Sequence, residues 1–215
     1  MIRLVCILIG YVFGLFQTSY IIGRINGIDI REHGSGNAGT TNTMRTLGKK
    51  AGFLTFAGDC LKCILAILLV RLLFGAEYAD MIPLLEFYTA AGVILGHDFP
   101  FYLHFRGGKG VAATAGLVII YDPIMTVLGI ITFFATVLIT GYVSLGSLLV
   151  YLGILIELVV LGQTGHFHMT QAHLNELYLV ALALALLTVW EHRGNIQRLL
   201  AGTERQASIK IGKKK

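Results

Sequence analysis

Three polar segments of this 215-residue chain gather the kinds of side chain that handle anions. The first reads His33-Gly-Ser-Gly-Asn-Ala-Gly-Thr-Thr-Asn-Thr-Met-Arg45. Gly34, Gly36 and Gly39 free the backbone to turn its N–H groups toward an anion. Ser35, Asn37, Thr41 and Asn42 add side-chain donors, and Arg45 supplies a guanidinium fork that grips a phosphate in two places. A flexible connection would need turn residues, but not so many donors within ten positions. The second segment runs from Gly96 and ends Gly107-Gly108-Lys109-Gly110. It lacks the upstream glycine and the trailing Ser or Thr of a Walker A loop, which argues against ATP hydrolysis. Lys109 still stands beside the amino terminus of an apolar helix, where backbone donors and the helix dipole favour an anion. The third segment opens the tail with His192, a candidate base, and Asn195 one turn along the same face.

Other constellations compete for attention. Gly34, Gly36 and Gly39 fit G-x-G-x-x-G, and Asp59 follows at Rossmann spacing. That fingerprint needs a buried strand in front and a βαβ unit around it. Residues 27–32 are no buried strand and Asp59 lies in an apolar stretch, so a dinucleotide site is not expected. Asp59 and Lys62 are three apart in that stretch and share a helix face. Ionisable groups within a span pair with each other or line a polar cavity, and both roles, structural pair or substrate contact, stand open. Ser144, at a junction of two apolar helices, is a further binding candidate. His166, His168 and His173 have no carboxylate at zinc-like spacing, so no metal site is assigned. Cys6, Cys60 and Cys63 lie in apolar runs and read as small packing residues.

The elements that must position these groups are membrane helices. The chain is 55% hydrophobic and 13% charged, with a mean hydropathy of +0.75. Soluble domains carry about a quarter charged residues, so a soluble enzyme and a disordered chain are both excluded. Apolar runs at 4–22, 51–74, 82–95, 111–121, 124–139, 145–161 and 174–190 predict about seven transmembrane helices in one all-α domain, residues 1–215. The run at 111–121 is too short to cross alone, about 17 Å as a helix. The run at 4–22 is long for a signal peptide and no cleavage site follows it, so it reads as a retained span. Of the 17 Lys and Arg, five fall in 23–50, two in 97–110 and seven in the tail. The positive-inside rule then predicts the amino terminus outside and the carboxyl terminus, with all three polar segments, in the cytoplasm. The net charge of +5 thus reflects orientation and anionic lipid rather than nucleic acid. Arg193, Arg198 and the final three lysines read as a solvated charge face near that lipid.

Taken together, the segments resemble the bacterial acyl-phosphate:glycerol-3-phosphate acyltransferase family. The resemblance rests on residues 34–42 with Arg45, on Gly96-His-Asp-Phe-Pro through Gly107-Gly-Lys-Gly-Val-Ala112, and on His192-Arg-Gly-Asn-Ile with Gly202-Thr-Glu204. Gly58-Asp-Cys-Leu-Lys62 also looks like the family's second helix. Thr40 and Cys63 depart from it, where Ala and Gly are usual. The resemblance implies transfer of a fatty acyl group from acyl phosphate to the 1-hydroxyl of sn-glycerol 3-phosphate. Lysophosphatidic acid and phosphate would result, opening phospholipid synthesis at a bacterial cell (inner) membrane. It further implies that Ser35 and Arg45 are essential and that Gly107, Gly108, Lys109 and Gly110 help bind glycerol 3-phosphate. His192 and Asn195 would bind or catalyse, Glu204 would hold the tail, and a soluble acyl-phosphate-producing enzyme would be a partner. No cofactor is implied. Transport of an organic phosphate is the rival class, but paired interrupted helices in two repeated halves are not visible in the sequence.

Overall fold

A computed structural model describes residues 1–207. Ten α-helices follow in order: α1 Ile2–Gly14, α2 Thr18–Ile25, α3 Thr40–Leu47, α4 Lys49–Phe74, α5 Ile82–Asp98, α6 Val111–Tyr121, α7 Pro123–Thr140, α8 Val143–Gln163, α9 Gln171–Glu191 and α10 Arg193–Leu200. Among the described residues there is no strand. Five helical stretches are long and apolar enough to cross a membrane: Ile2–Ile25, α4, α7, α8 and α9. The remaining two apolar helices, α5 with 17 residues and α6 with 11, are supported by neighbours. The outward faces confirm the solvent. Ile130, Ile131, Phe134 and Ile139 of α7 are all more than half exposed, an apolar surface suited to lipid.

α5 is the axis of the bundle, with its residues from Leu84 to Asp98 almost all buried. Its closest partner is α1, and small residues explain why. Gly10 and Gly14 of α1 face Gly92 and Gly96 of α5, and a methyl group on any of the four would overlap backbone of the other helix. Two small-xxx-small patterns therefore let the backbones touch, the usual source of packing energy between helices in lipid. Gly116 of α6 meets the Cys60 backbone of α4 in the same way. Cys6, Cys60 and Cys63 are buried and free, as packing residues should be.

The first span is not one helix. α1 ends at Gly14, and α2 restarts at Thr18. No proline marks this break, which is why an apolar run at 4–22 reads as continuous. The carbonyls it frees find side-chain donors, as backbone at membrane depth must. Phe16 O accepts from Lys62 Nζ at 2.8 Å, Leu15 O from the Tyr102 hydroxyl at 2.6 Å, and Gly14 O from Gln17 Nε2 at 3.4 Å. At the opposite end of the bundle, charges are neutralised in pairs: Arg3 with Glu176, and Arg71 Nε with Glu86 Oε1 at 2.5 Å. Asp122 caps α7 through Ile124 N at 2.8 Å and receives His166 Nε2 at 2.6 Å.

Candidate active site

The second polar segment is built by a reversal after α5. Beyond Pro100 the chain makes a short 3-10 turn, and His104 and Phe105 both take φ of +57°. This brings Gly107 and Gly108 back along the end of α5, where Gly107 N donates to Asp98 O and Gly108 N to His97 O, each at 3.0 Å. There is no room for side chains in that return. A methyl group on Gly107 would overlap the His97 carbonyl, and one on Gly108 would overlap the His97 imidazole. Gly110 caps α6 with φ +68°, a conformation that costs a residue with a side chain. Lys109 is thus the one residue of the four able to present a functional group, and it does so at the amino terminus of α6.

The first segment is fastened by Asn42, near the start of α3. Its Oδ1 accepts Ser35 N at 2.8 Å, and its Nδ2 donates to Ile30 O at 3.0 Å and His33 O at 2.9 Å. Gly34 and Gly36, with φ of +62° and +75°, permit that tight path. Asn42 is therefore a buried organiser of the loop and not a free donor. Ser35, Thr41 and Arg45 are exposed, and among the described residues their side chains make no hydrogen bond. They are available to a ligand, with Asn37 half-buried beside them. A backbone bond from Ala38 N to Gly107 O at 3.3 Å ties this segment to the second.

The third segment joins through Lys109, whose ammonium donates to Asn195 Oδ1. Asn195 Nδ2 donates in turn to Glu204 Oε1 at 2.6 Å, Ser144 Oγ donates to the same oxygen at 2.8 Å, and Arg198 Nε donates to Oε2 at 2.7 Å. Burial pushes the Glu204 carboxyl up, but these three donors outweigh it and hold it below the usual range. Beyond Gly202, Ala207 N reaches Gly141 O at 2.7 Å, so the tail straps the turn between α7 and α8. Ser144 is occupied by this strap. Arg198 keeps its side chain 42% exposed while its Nε engages Glu204, so it is both partly solvated and tied to the strap. Arg193 stays exposed over the Trp190 ring, 4.5 Å from its centroid. The final three lysines lie outside the described residues.

His192 sits buried between α9 and α10, and its Nδ1 donates to Thr188 O at 2.8 Å. Burial, then the nearby Lys109 ammonium, push its pKa down to about 4. The ring is neutral at pH 7 and its Nε2 keeps a lone pair. Burial also lowers the pKa of Lys109, while Glu191 opposes the shift. Farther out on the first segment, Arg31 beside Asp29 holds that carboxyl at about 2, and Arg31 Nη1 anchors the second segment at Leu103 O, 3.0 Å away.

Asp59 and Lys62 pair at 2.9 Å, only 1% and 4% exposed. Thr18 Oγ1 bonds Asp59 Oδ1 at 3.1 Å, and Lys62 Nζ reaches His97 Nδ1 at 2.8 Å. In this arrangement both side chains of the pair make their close contacts inside the protein. His97 and Gln17 are the residues that spacing did not single out. Both were in view, His97 inside the second segment, but their partners lie 35 and 80 positions away along the chain.

A sequence profile described as glycerol-3-phosphate acyltransferase matches residues 4–202. The chain is 42% identical to a glycerol-3-phosphate acyltransferase of Clostridioides difficile strain 630, over 96% of this chain and 94% of that one. It is 38% identical to a protein of the same name from Alkaliphilus metalliredigens, over 100% and 98%. The fold is similar to the crystal structure of an integral membrane glycerol 3-phosphate acyltransferase in its glycerol 3-phosphate form. That likeness has a TM-score of 0.82 at 30% identity and covers 96% of each chain. The lysophosphatidic acid form of the same enzyme gives 0.79 over 95% and 94%. With a profile match over nearly its whole length and relatives at about 40% identity, this chain belongs to the glycerol-3-phosphate acyltransferase family of integral membrane enzymes.

Proposed function

We propose that this protein transfers a fatty acyl group from acyl phosphate to the 1-hydroxyl of sn-glycerol 3-phosphate, releasing lysophosphatidic acid and phosphate. The observation that carries the reading is the meeting of three anion-handling segments at one end of a lipid-facing bundle, through Ala38–Gly107 and Lys109–Asn195. Both substrates carry phosphate and one carries an acyl chain. Such a pair needs cationic and backbone donor sites beside apolar surface, and that end of the bundle provides them. The solved relatives hold the acceptor in one form and the acylated product in the other.

Ser35, Arg45, Lys109, His192 and Asn195 are the proposed reacting and anion-holding groups. Gly34, Gly36, Asn37, Gly39, Thr41, Asn42, Gly107, Gly108 and Gly110 shape or line the site, and Ser144 and Glu204 fix Asn195 within it. The glycerol hydroxyl oxygen attacks the acyl carbonyl carbon, the carbon–oxygen bond to phosphate breaks, and phosphate departs with the bonding pair. The hydroxyl proton passes to His192 Nε2 or to a substrate phosphate oxygen. Acyl phosphate is already activated, so no acyl-enzyme is needed. Arg45 and Lys109 offset the repulsion of two anions and orient them, which is the electrostatic and proximity part of the catalysis. The site faces the cytoplasm of a bacterial cell membrane, where a soluble enzyme would supply the acyl phosphate.

The test is lysophosphatidic acid formation by purified protein from radiolabelled glycerol 3-phosphate, with palmitoyl phosphate, acyl carrier protein thioester or coenzyme A thioester as donor. Product from palmitoyl phosphate alone, lost in Lys109→Ala, is expected. Equal use of a thioester would overturn the donor, and no product from any donor would overturn the reaction.

A further inference from the structure

We propose that Lys62 and Asp59 are positioning residues for the 107–110 loop, acting through His97. This goes beyond the assignment of that loop to anion binding and rests on it. The Lys62 ammonium has three protons and three close acceptors: Phe16 O and His97 Nδ1 at 2.8 Å, and Asp59 Oδ1 at 2.9 Å. An ammonium only donates, so His97 Nδ1 must accept and the ring carries its proton on Nε2. That fixes the tautomer and selects, between the two flipped orientations of the buried ring, the one that turns Nδ1 to Lys62.

The fixed ring is the mould for the loop. Its Nε2, Cδ2 and Cε1 edge fills the space a side chain on Gly108 would need. The backbone of the same histidine holds the loop from the other side, because His97 O accepts Gly108 N at 3.0 Å. That carbonyl is itself gripped by Gln17 Nε2 at 2.8 Å. The ring of His97 is therefore held by Lys62 of α4, itself bonded to Phe16 O at the break between α1 and α2, and its carbonyl by Gln17 of that break. Lys109 is the next residue, so the position of its ammonium follows from this chain of contacts. A buried ion pair one helix away from the loop thus sets the geometry of a catalytic cation without touching substrate. The physical reason is specificity: neutral apolar residues at 59 and 62 would fill the space but would not select one ring orientation.

A double-mutant cycle on kcat/KM separates this from a substrate contact. Wild type, Lys62→Met, His97→Ala and the double variant are compared, each shown to be monodisperse and to melt well above the assay temperature. Lys62→Met is expected to lower kcat/KM by about ten-fold or more in the wild-type background and by less than about three-fold in His97→Ala. An equal loss in both backgrounds would show that Lys62 acts by another route and would overturn the proposal. Where Lys62→Met fails to fold because Asp59 is left unpaired, Asp59→Asn/Lys62→Met takes its place in the same cycle. A size exchange reads the other link: Gly108→Ala is expected to lose activity, and His97→Ala/Gly108→Ala to recover to the level of His97→Ala. No recovery would contradict the mould. Failure of the acyltransferase reading would look different, since wild type itself would then be inactive.

Discussion

At the residue scale, the site combines exposed donors with buried supports, and substitutions should separate the two. Arg45→Ala and Lys109→Met remove the two cations proposed to hold phosphate. A hydrogen bond to a charged group contributes about 1.5–3 kcal/mol, so each should lower kcat/KM by roughly 10- to 150-fold, with an unchanged melting temperature for Arg45→Ala, whose side chain is exposed. Glu204→Gln should act differently. It removes the charge that orders Asn195, Ser144 and Arg198, so proteolysis of the tail should accelerate along with the loss of activity. The depressed pKa of His192, at about 4, makes a pH prediction with a definite sign. The ring stays a neutral base as pH falls through 6.5 and is protonated only near 4. The part of the kcat/KM profile that disappears in His192→Gln should therefore have its acid limb near 4. A limb near 6.5 would mean that the ring is solvated in the working enzyme. Much of this scale was legible beforehand, because Lys109 among three glycines and Ser35 between two are unusual compositions. The roles of Asn42 and Ser144 were not, since a donor that serves the protein and a donor that serves a ligand look alike in a sequence.

At the element scale, the site is positioned by one tight crossing and one broken helix. The crossing of α1 and α5 depends on Gly10, Gly14, Gly92 and Gly96. Gly92→Leu should force the helices apart, cost at least the 1–3 kcal/mol typical of overpacking, and lower the melting temperature. Activity should fall with it, because the 107–110 loop hangs from the end of α5. A conservative surface change such as Val127→Leu on the lipid face of α7 should leave both unchanged. The seven apolar stretches and their order were legible from hydropathy and from Pro and Gly breaks, whereas the short polar helices α3 and α10 were not. The division of the first span at residues 15–17 was not, because hydropathy is blind to a break whose carbonyls are satisfied by Lys62, Gln17 and Tyr102 from distant positions.

At the scale of the whole molecule, seven apolar helical stretches with both loops and tail gathered at one end make a two-sided object. Single cysteines at Lys49 and at His168 should be labelled by an impermeant reagent from opposite faces of the membrane. The three native thiols should stay silent, since Cys6, Cys60 and Cys63 are all buried. Labelling of position 49 from the outer face would reverse the proposed orientation. That one end carries all three segments makes direct transfer between two phosphate-bearing substrates the proposed mechanism. The most direct measurement is an initial-velocity grid with both glycerol 3-phosphate and palmitoyl phosphate varied. Direct transfer requires both substrates on the protein at once, and so intersecting double-reciprocal lines. Parallel lines, the mark of an acyl-enzyme formed before the acceptor binds, would contradict it.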